Sequence, residues 1–480
     1  MKNFQEHIVK QRERLKLTDK EVKSRIEKSP YGPKTKDLLR RWSEVESYGC
    51  VSLGLFNVTP LIVRAKGAIL YDDDGKEYLD FLSGFSVSNL GECNEKIAEI
   101  IKKQADRLVH FFDFPHEERV KLSEKLTSIS RIKGKTRVMY GVTGSDGIEL
   151  AVRAIRYYTG QPFILTAYGD YHGHTYGVKA LTGKGNMQAY FYPVEPTNCI
   201  GYFNFPYCYR CLYNQKYPEC DMFCIKAFEK MLDGKETPFG AGVLNVNNIG
   251  GILVENYQSS AGYIISPDGY LQELRRIADK FGFVLAVDEI QTGLGRTGKL
   301  WSFEHSGIEP DMFISSKSLG GGLPLAAIVA KSEILTEWGP GAHVSTQAGN
   351  VIACAAGNYV LDTISSPSFL KRVNDTGAYF ADGLKELEKK HKILGYYNIK
   401  GLYAGVELVK DRKTKEPATD AASYIRERCL EEGLVYEHGG YYHNRMQLIP
   451  PLIIEKKEID RAVQIFDKVF GEAEKKFGIG

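Results

Sequence analysis

The chain lacks any apolar run near the roughly 18 residues that a membrane-spanning helix requires. Its opening, MKNFQEHIVKQRERLK, has no apolar core of the kind that marks a secretory signal, so a cytoplasmic protein is expected. A preponderance of one charge is also missing. The 63 Lys and Arg residues against 60 Asp and Glu leave +3, too little to suggest the clustered basic face of a nucleic-acid binder. Neither nucleic acid nor membrane is expected as a partner. Internal repeats, low-complexity tracts and heptads are absent. Nine cysteines, an odd number in a long chain, fit reduced thiols better than a disulfide framework.

What is present is a large globular pattern, 480 residues with room for two or three lobes. Residues 3–28 are highly charged, with sparse apolar spacing that suits a solvated helix or pair of helices, and a second helix is expected over 34–46. LIVRAKGAILYDDDGKEYLDF, 61–81, carries a hairpin signal at Asp74-Gly75, and a helix should follow at 94–108. Short apolar runs then alternate with helical stretches. Strands are expected at Arg137–Tyr140, Phe163–Ala167, Gly251–Glu255, Phe283–Val287, Met312–Ile314 and Ala326–Ala330, with helices such as 146–158 and 269–281 between them. That alternation predicts an α/β fold with a mainly parallel central sheet wrapped by helices on both faces. The expected division is an N-terminal helical segment and hairpin (1–90), a large domain (91–364) and a C-terminal α+β segment (365–480). The first and last would share the smaller domain.

Residues 283–324, FVLAVDEIQTGLGRTGKLWSFEHSGIEPDMFISSKSLGGGLP, concentrate the chemistry. One apolar strand ends in Asp288-Glu289 and the next in Ser315-Ser316-Lys317, with Gly320 to Gly322 directly after. In open α/β sheets the carboxyl ends of strands are where ligands bind. A Lys there can attack carbonyls if its pKa is lowered, and an Asp under apolar walls wants a cationic partner. Pyridoxal phosphate needs such a pair, a Lys for the Schiff base and an acid for the ring nitrogen. By spacing alone, ordinary solvated loops fit the same residues.

This stretch resembles the signature of the class III (subgroup II) pyridoxal-phosphate aminotransferases, D-E-x-Q-T-G-x-G-R-T-G followed by S-K-x-L-G-G-G-x-P. The resemblance implies a fold type I enzyme with pyridoxal 5'-phosphate as cofactor. It also implies Lys317 as the Schiff-base lysine, Asp288 as partner of the pyridine nitrogen and Gln291 near the ring hydroxyl. Val142-Thr143-Gly144-Ser145-Asp146 opens a helix after a strand, and backbone amides there suit an anion, although a simple N-cap fits too. It is similar to the family's S-G-S-E phosphate loop, which assigns Gly144 and Ser145 to the phosphate and leaves Asp146 where Glu is usual. Tyr171 precedes His172-Gly173 where the family stacks an aromatic ring on the cofactor. Glu255 lies at another strand end of the site. HVSTQAGN, 343–350, is similar to the H-x-S-T-[FY]-x-G-N segment, in which the Thr reaches the neighbouring subunit's phosphate. Thr346 thereby implies a homodimer with shared active sites, with a tetramer also compatible.

Departures from the pattern concern the substrate. Where the family reads E-P-x-Q-[GS]-[ED], the chain has Asn256 and Ser260, closer to the dialkylglycine decarboxylase branch. Where most members carry V-R-G-x-G, Asn398 replaces the arginine, and His174 replaces a second arginine after H-G. An Asn cannot give guanidinium's bidentate grip on carboxylate. Either His174, Asn398, Lys400 or another residue is therefore expected to meet the substrate, or the substrate lacks an α-carboxylate. No metal is assigned. Cys208-x2-Cys211-x8-Cys220-x3-Cys224, in an aromatic insertion at 199–224, has spacing open to a tetrahedral zinc site, packed free thiols or a disulfide. The insertion's Tyr202, Phe203, Phe205, Tyr207 and Tyr209 suit a roof over the substrate pocket.

The implied activity is transfer of an amino group from an amine or amino acid, ω-amino donors included, to a 2-oxo acid. It would run through Lys317 in ping-pong fashion. The alternative on the same residues is an amino-acid racemase or epimerase, or a dialkylglycine-type decarboxylase.

Overall fold

The computed structural model describes residues 18–48, 59–183, 199–233 and 246–480, so the first part of the expected N-terminal helix lies outside the described residues. Helices at Asp19–Lys28 and Pro33–Val45 come first, the former opened by a capping box between Thr18 and Glu21. The hairpin region folds as β1 (Ile62–Lys66), β2 (Ile69–Asp72) and β3 (Glu77–Asp80), with the Asp74-Gly75 turn between the last two. Asp72 Oδ1 accepts from the Asp74 and Lys76 amides at 3.1 and 2.8 Å and fixes that turn.

The large sheet takes β4 (Thr136–Gly141), β5 (Phe163–Ala167), β6 (Ile200–Phe203) and β7 (Ile249–Glu255). A ribbon of β8 (Tyr257–Gln258) and β9 (Ile264–Ile265) precedes its remaining members, β10 (Val284–Asp288), β11 (Met312–Ser315) and β12 (Ala326–Lys331). Their spatial order is β4-β12-β11-β10-β7-β5-β6. From β11 to β6 the strands are parallel, and β12 runs antiparallel to both its neighbours. Every residue of β7 and β10 is buried, which is why these strands read as unbroken apolar runs. Val284 and Ala286 join one apolar cluster with helix Gly144–Thr159, whereas Leu285 and Val287 join another with helices Tyr270–Phe281 and Val351–Ile364. Gly251 permits the first of these to close down: a Cβ there would stand 2.6 Å from the Val284 carbonyl and 2.9 Å from Ile155.

The C-terminal part contains β13 (Leu394–Lys400), β14 (Tyr403–Asp411), β15 (Glu416–Pro417), β16 (Leu434–Val435), β17 (Glu437–Gly439) and β18 (Arg445–Leu448). Four of these form a sheet in the order β13-β14-β18-β17, β15 pairs with β14, and β16 pairs in parallel with β3. Phe380 and Leu384 of helix Pro367–Lys390 and Phe466 and Phe470 of helix Lys456–Phe477 pack with Val406 and Leu408, and Leu79 and Phe81 join the same core. No helix of the described residues is long and apolar enough to cross a membrane.

Arg296, inside the 283–324 stretch, ties three parts of the chain together. Its guanidinium donates to the carbonyls of Leu402 (3.1 Å) and Pro450 (2.5 Å), to Asn89 Oδ1 (2.5 Å) and to Ser83 Oγ (3.3 Å). Full burial pushes its pKa down to about 9, so these four contacts stand in for lost hydration.

Candidate active site

Five chain segments converge at the carboxyl end of the parallel strands. Asp288 ends β10, Glu255 ends β7, Asp170 to His174 follow β5, Lys317 follows β11, and helix Gly144–Thr159 starts after β4. The consecutive acids Asp288 and Glu289 go separate ways, as the alternation of a strand requires. Asp288 Oδ2 pairs with His172 Nδ1 at 2.8 Å, and its Oδ1 accepts from the Ile290 amide at 2.9 Å. Glu289 turns to the following loop, accepting from Ser302 Oγ (2.7 Å), the Phe303 amide (3.0 Å) and Thr292 Oγ1 (3.0 Å). Burial pushes the Glu289 carboxyl up to about 7.

Around His172 the structure adds an acid that sequence reading passed over. Asp170 is fully buried, with Oδ2 3.8 Å from His172 Nε2, Oδ1 accepting from Gln258 Nε2 (2.9 Å) and Oδ2 from the Glu255 amide (3.1 Å). Burial raises it to about 7 against the opposing pull of His172. Glu255 receives the amides of Tyr171 (2.9 Å) and Ser259 (3.1 Å), and burial beside Asp170 and Asp288 holds its carboxyl well above the usual range.

Lys317 keeps some contact with solvent, but protein atoms enclose its ammonium, and desolvation lowers its pKa to about 8 against the pull of Asp288 and Glu255. Its φ of +49° is a left-handed conformation that a side chain adopts only where its surroundings demand it. At the helix start, Thr143 caps the Asp146 amide (3.3 Å) while Asp146 Oδ2 accepts from the Val142 amide (2.7 Å). Asp146, the family's Glu by resemblance, is thus a capping residue. Ser145 Oγ accepts from the His174 amide at 3.1 Å. Gly173 makes this approach possible: with φ at +137°, a Cβ would fall 2.2 Å from Ser145 Oγ. The Tyr171 hydroxyl bonds His174 Nδ1, and their rings meet edge-on at 5.2 Å.

These residues suit pyridoxal phosphate. Gln291 donates to the Phe85 carbonyl (3.3 Å) and the Tyr263 hydroxyl (3.2 Å), while its buried Oε1 has no protein partner and is left to accept from a ligand hydroxyl. The Gly144–Ser145 helix start offers amides and a partial positive charge to an anion.

The substrate candidates fare differently. His174 is exposed beside Tyr171. Lys400 ends β13 near His305, whose pKa is lowered to about 4 first by burial and then by the Lys400 charge. Thr346 is exposed on the 343–347 segment. Asn398 is buried, donating to the Tyr263 carbonyl (2.7 Å) and accepting from Arg445 Nη2 (2.7 Å). An arginine therefore reaches this place from β18. It is committed elsewhere as well, with Nε on the Gly262 carbonyl (2.5 Å) and Nη1 on Glu407 Oε2 (2.8 Å). Glu407 also receives Arg210 Nε at 2.5 Å and the Tyr207 hydroxyl, both from the aromatic insertion. The sequence signal for this wall is slight, a Glu within YAGVELVKD and an Arg opening RMQL.

The family model of class-III aminotransferases matches residues 55–470. A leucine/methionine racemase of Thermococcus litoralis is 34% identical over 91% of this chain and 97% of its own length. An acetylornithine aminotransferase of Caldanaerobacter subterraneus subsp. tengcongensis is 33% identical over 86% of this chain and 95% of its own. Among solved structures, a Bacillus anthracis aminotransferase superposes with a TM-score of 0.83 at 27% identity, covering 92% of this chain and all of that one. The chain therefore belongs to the class-III aminotransferases, pyridoxal-phosphate-dependent enzymes of fold type I.

Proposed function

We propose that the protein moves an amino group from an amino acid or amine to a 2-oxo acid, with Lys317 as the residue that holds the cofactor and carries the proton. The observation behind this is the pairing of a Lys317 amine lowered to about 8 with Asp288 braced by His172 at 2.8 Å, at the ends of adjacent parallel strands. Bound pyridoxal phosphate supplies a carbonyl that condenses with amines and a protonated ring that draws electrons from the substrate carbon. Near pH 8 a substantial share of Lys317 Nζ is neutral, so it can condense with a carbonyl, releasing water, and once a substrate amine has displaced it the freed Nζ can take the proton from the substrate carbon. Asp288, fixed by His172 and the Ile290 amide, holds a proton on the group it faces. Ser145, Gly144 and Gln291 orient the ligand, and Tyr171 covers one face.

Thr346 serves the site of a second copy in this reading, as the family resemblance implies. Supporting a homodimer, Val109, Phe111, Phe112 and Phe114 are exposed apolar side chains, and Asn350 bonds the Val109 carbonyl at 3.2 Å.

A second reading, racemisation or epimerisation, rests on the likeness to the Thermococcus racemase and on the Tyr171–His174 pair, a titratable couple close to the same site. Mixing the purified enzyme with single amino donors separates the two. Transamination converts the cofactor spectrum to the pyridoxamine form and yields an oxo acid. Racemisation leaves the spectrum unchanged and scrambles the chirality of the donor, and that outcome would replace the first reading by the second.

A further inference from the structure

The cysteine-rich insertion lies outside the reaction just described, yet it is built into the wall beside it. Tyr209 stacks on Tyr396 at 4.8 Å, and its carbonyl accepts from Lys415 Nζ at 2.7 Å. Arg210 donates to Glu407 (2.5 Å) and to the Lys415 carbonyl (2.6 Å), and Tyr207 stacks on Tyr441 at 6.2 Å. The segment that makes these contacts has little regular structure of its own. A three-residue 3₁₀ turn, Cys208–Arg210, precedes coil and turns up to the helix at Phe223–Leu232. A short excursion with so little core usually depends on a cross-link.

All four cysteines of this segment, Cys208, Cys211, Cys220 and Cys224, line one cavity of about 30 Å³, walled otherwise largely by Phe205, Tyr213, Met222 and Phe223. The thiols are free, Cys208 at the exposed rim and the others half-buried. The one hydrogen bond seen for Cys208 is weak, 3.7 Å to the Pro206 carbonyl. As they stand the sulfurs line the cavity without forming a closed ligand set, and no group of three or more His, Cys, Asp or Glu among the described residues, these included, is already arranged to hold a metal ion.

We propose that this insertion is a metal-binding clasp. Cys208, Cys211, Cys220 and Cys224 close as thiolates on one zinc ion, which cross-links the segment that sets Tyr207 and Arg210 against Glu407. Thiols gain little by converging on one another, whereas a borderline-soft divalent cation with a tetrahedral preference supplies the reason to converge. Two closely spaced pairs, C-x2-C and C-x3-C, present sulfurs from a turn and from the start of a helix onto the one cavity, and closure on a metal is the movement proposed. Each thiol releases its proton to solvent as the Zn–S bond forms, with no change of oxidation state. Binding energy of this kind becomes folding energy for the segment.

The test is metal analysis of the purified, pyridoxal-phosphate-loaded enzyme, which requires no turnover and is independent of which reaction the site performs. About one zinc per chain is expected, as for other structural four-thiolate sites. The variants Cys211→Ser and Cys220→Ser should lose it, while Cys354→Ser, in a buried helix elsewhere, should keep it. Cobalt substituted for zinc should give thiolate charge-transfer bands and the intense visible bands of tetrahedral geometry. Should the serine variants fail to fold, the zinc content and cobalt spectrum of the unaltered enzyme decide alone. A metal-free enzyme whose four thiols all react with a thiol reagent would overturn the proposal. So would a disulfide mapped between any two of them, or zinc retained in the Cys211→Ser, Cys220→Ser double variant.

Discussion

The floor of the candidate site and the wall beside it both consist of buried charge, yet they are assembled in opposite ways. On the floor, Asp170, His172, Glu255 and Asp288 come from the ends of neighbouring parallel strands and lean on one another and on backbone amides. The wall brings Arg445 and Glu407 of the C-terminal sheet against Arg210 and Tyr207 of the insertion, with Asn398 and the Gly262 and Tyr263 carbonyls filling the gaps. Carboxylates dominate the floor, where burial raises Asp170 and Glu255, whereas the wall sets two guanidiniums on one carboxylate. The floor is thus suited to holding a proton opposite a cationic ring, and the wall to holding shape and offering net positive charge.

If the floor does the chemistry, its loss should be absolute and leave the fold intact. Lys317→Ala removes both the attacking amine and the proton carrier. A fall in kcat on the order of 10⁴-fold or more is expected, with no borohydride-fixable cofactor and a Tm close to the parent's. Residual turnover within tenfold of the parent would place the chemistry elsewhere. The wall should behave in the reverse sense. Glu407 is 0% exposed and Arg445 1% exposed, so Glu407→Ala leaves a buried guanidinium unpaired and Arg210 facing it. A loss of roughly 3–5 kcal/mol is expected by chemical denaturation, with the cofactor spectrum retained. Glu407→Gln should recover part of that loss by keeping an acceptor oxygen for one of the two arginines.

The same contrast explains what could be read in the sequence. Floor residues sit within a few positions of strand ends or helix starts, where apolar runs stop at Asp288, Glu255 and Lys317, so local pattern and family resemblance marked them together. Asp170 escaped because nothing local distinguishes it from a turn residue; only the packing of β5 beside β7 brings it to the Glu255 amide. The wall depends on which strands lie side by side in the C-terminal sheet. Asn398 and Arg445 are 47 positions apart, in strands on either side of β14, and no periodicity reveals that pairing. The sequence marked the missing arginine at 398 but not the arginine from β18 that bonds to its replacement. Arg296 was visible only as a letter of the signature, while its work is to hold Asn89, Leu402 and Pro450 together.

A smaller effect is expected from Glu289, the residue after Asp288. The Glu289 carboxyl is raised from 4.5 to about 7 by burial, so across that interval the folded chain binds more protons than the unfolded one. Its contribution to stability is therefore full below about pH 4.5 and declines as pH rises through 7. Glu289→Gln keeps acceptors for Ser302 and Phe303 and has no proton to lose. The variant should show a flatter dependence of the urea midpoint on pH between 5 and 8, the difference in slope not exceeding about 1.4 kcal/mol per pH unit. Asp170, raised in the same direction to about 7, leaves both proteins some residual slope. Identical slopes in the two proteins would mean that Glu289 stays ionised and that its hydrogen bonds outweigh its burial.

The smallest change tests whether Asn398 belongs to the wall's framework or to the substrate. It donates to the Tyr263 carbonyl and accepts from Arg445, and both partners retain other hydrogen bonds: Arg445 Nη2 also reaches that carbonyl at 3.2 Å. Asn398→Ala should therefore cost about 1–2 kcal/mol of stability, the range for removing one member of a buried hydrogen-bonded pair. If Asn398 only braces Arg445, KM for each amino donor should stay within about twofold, since no uniform binding interaction has been removed. A KM rise of tenfold or more for carboxylate-bearing donors, with kcat unchanged and amines without a carboxylate unaffected, would show instead that Asn398 grips the substrate. The wall would then be part of the binding site itself rather than its support.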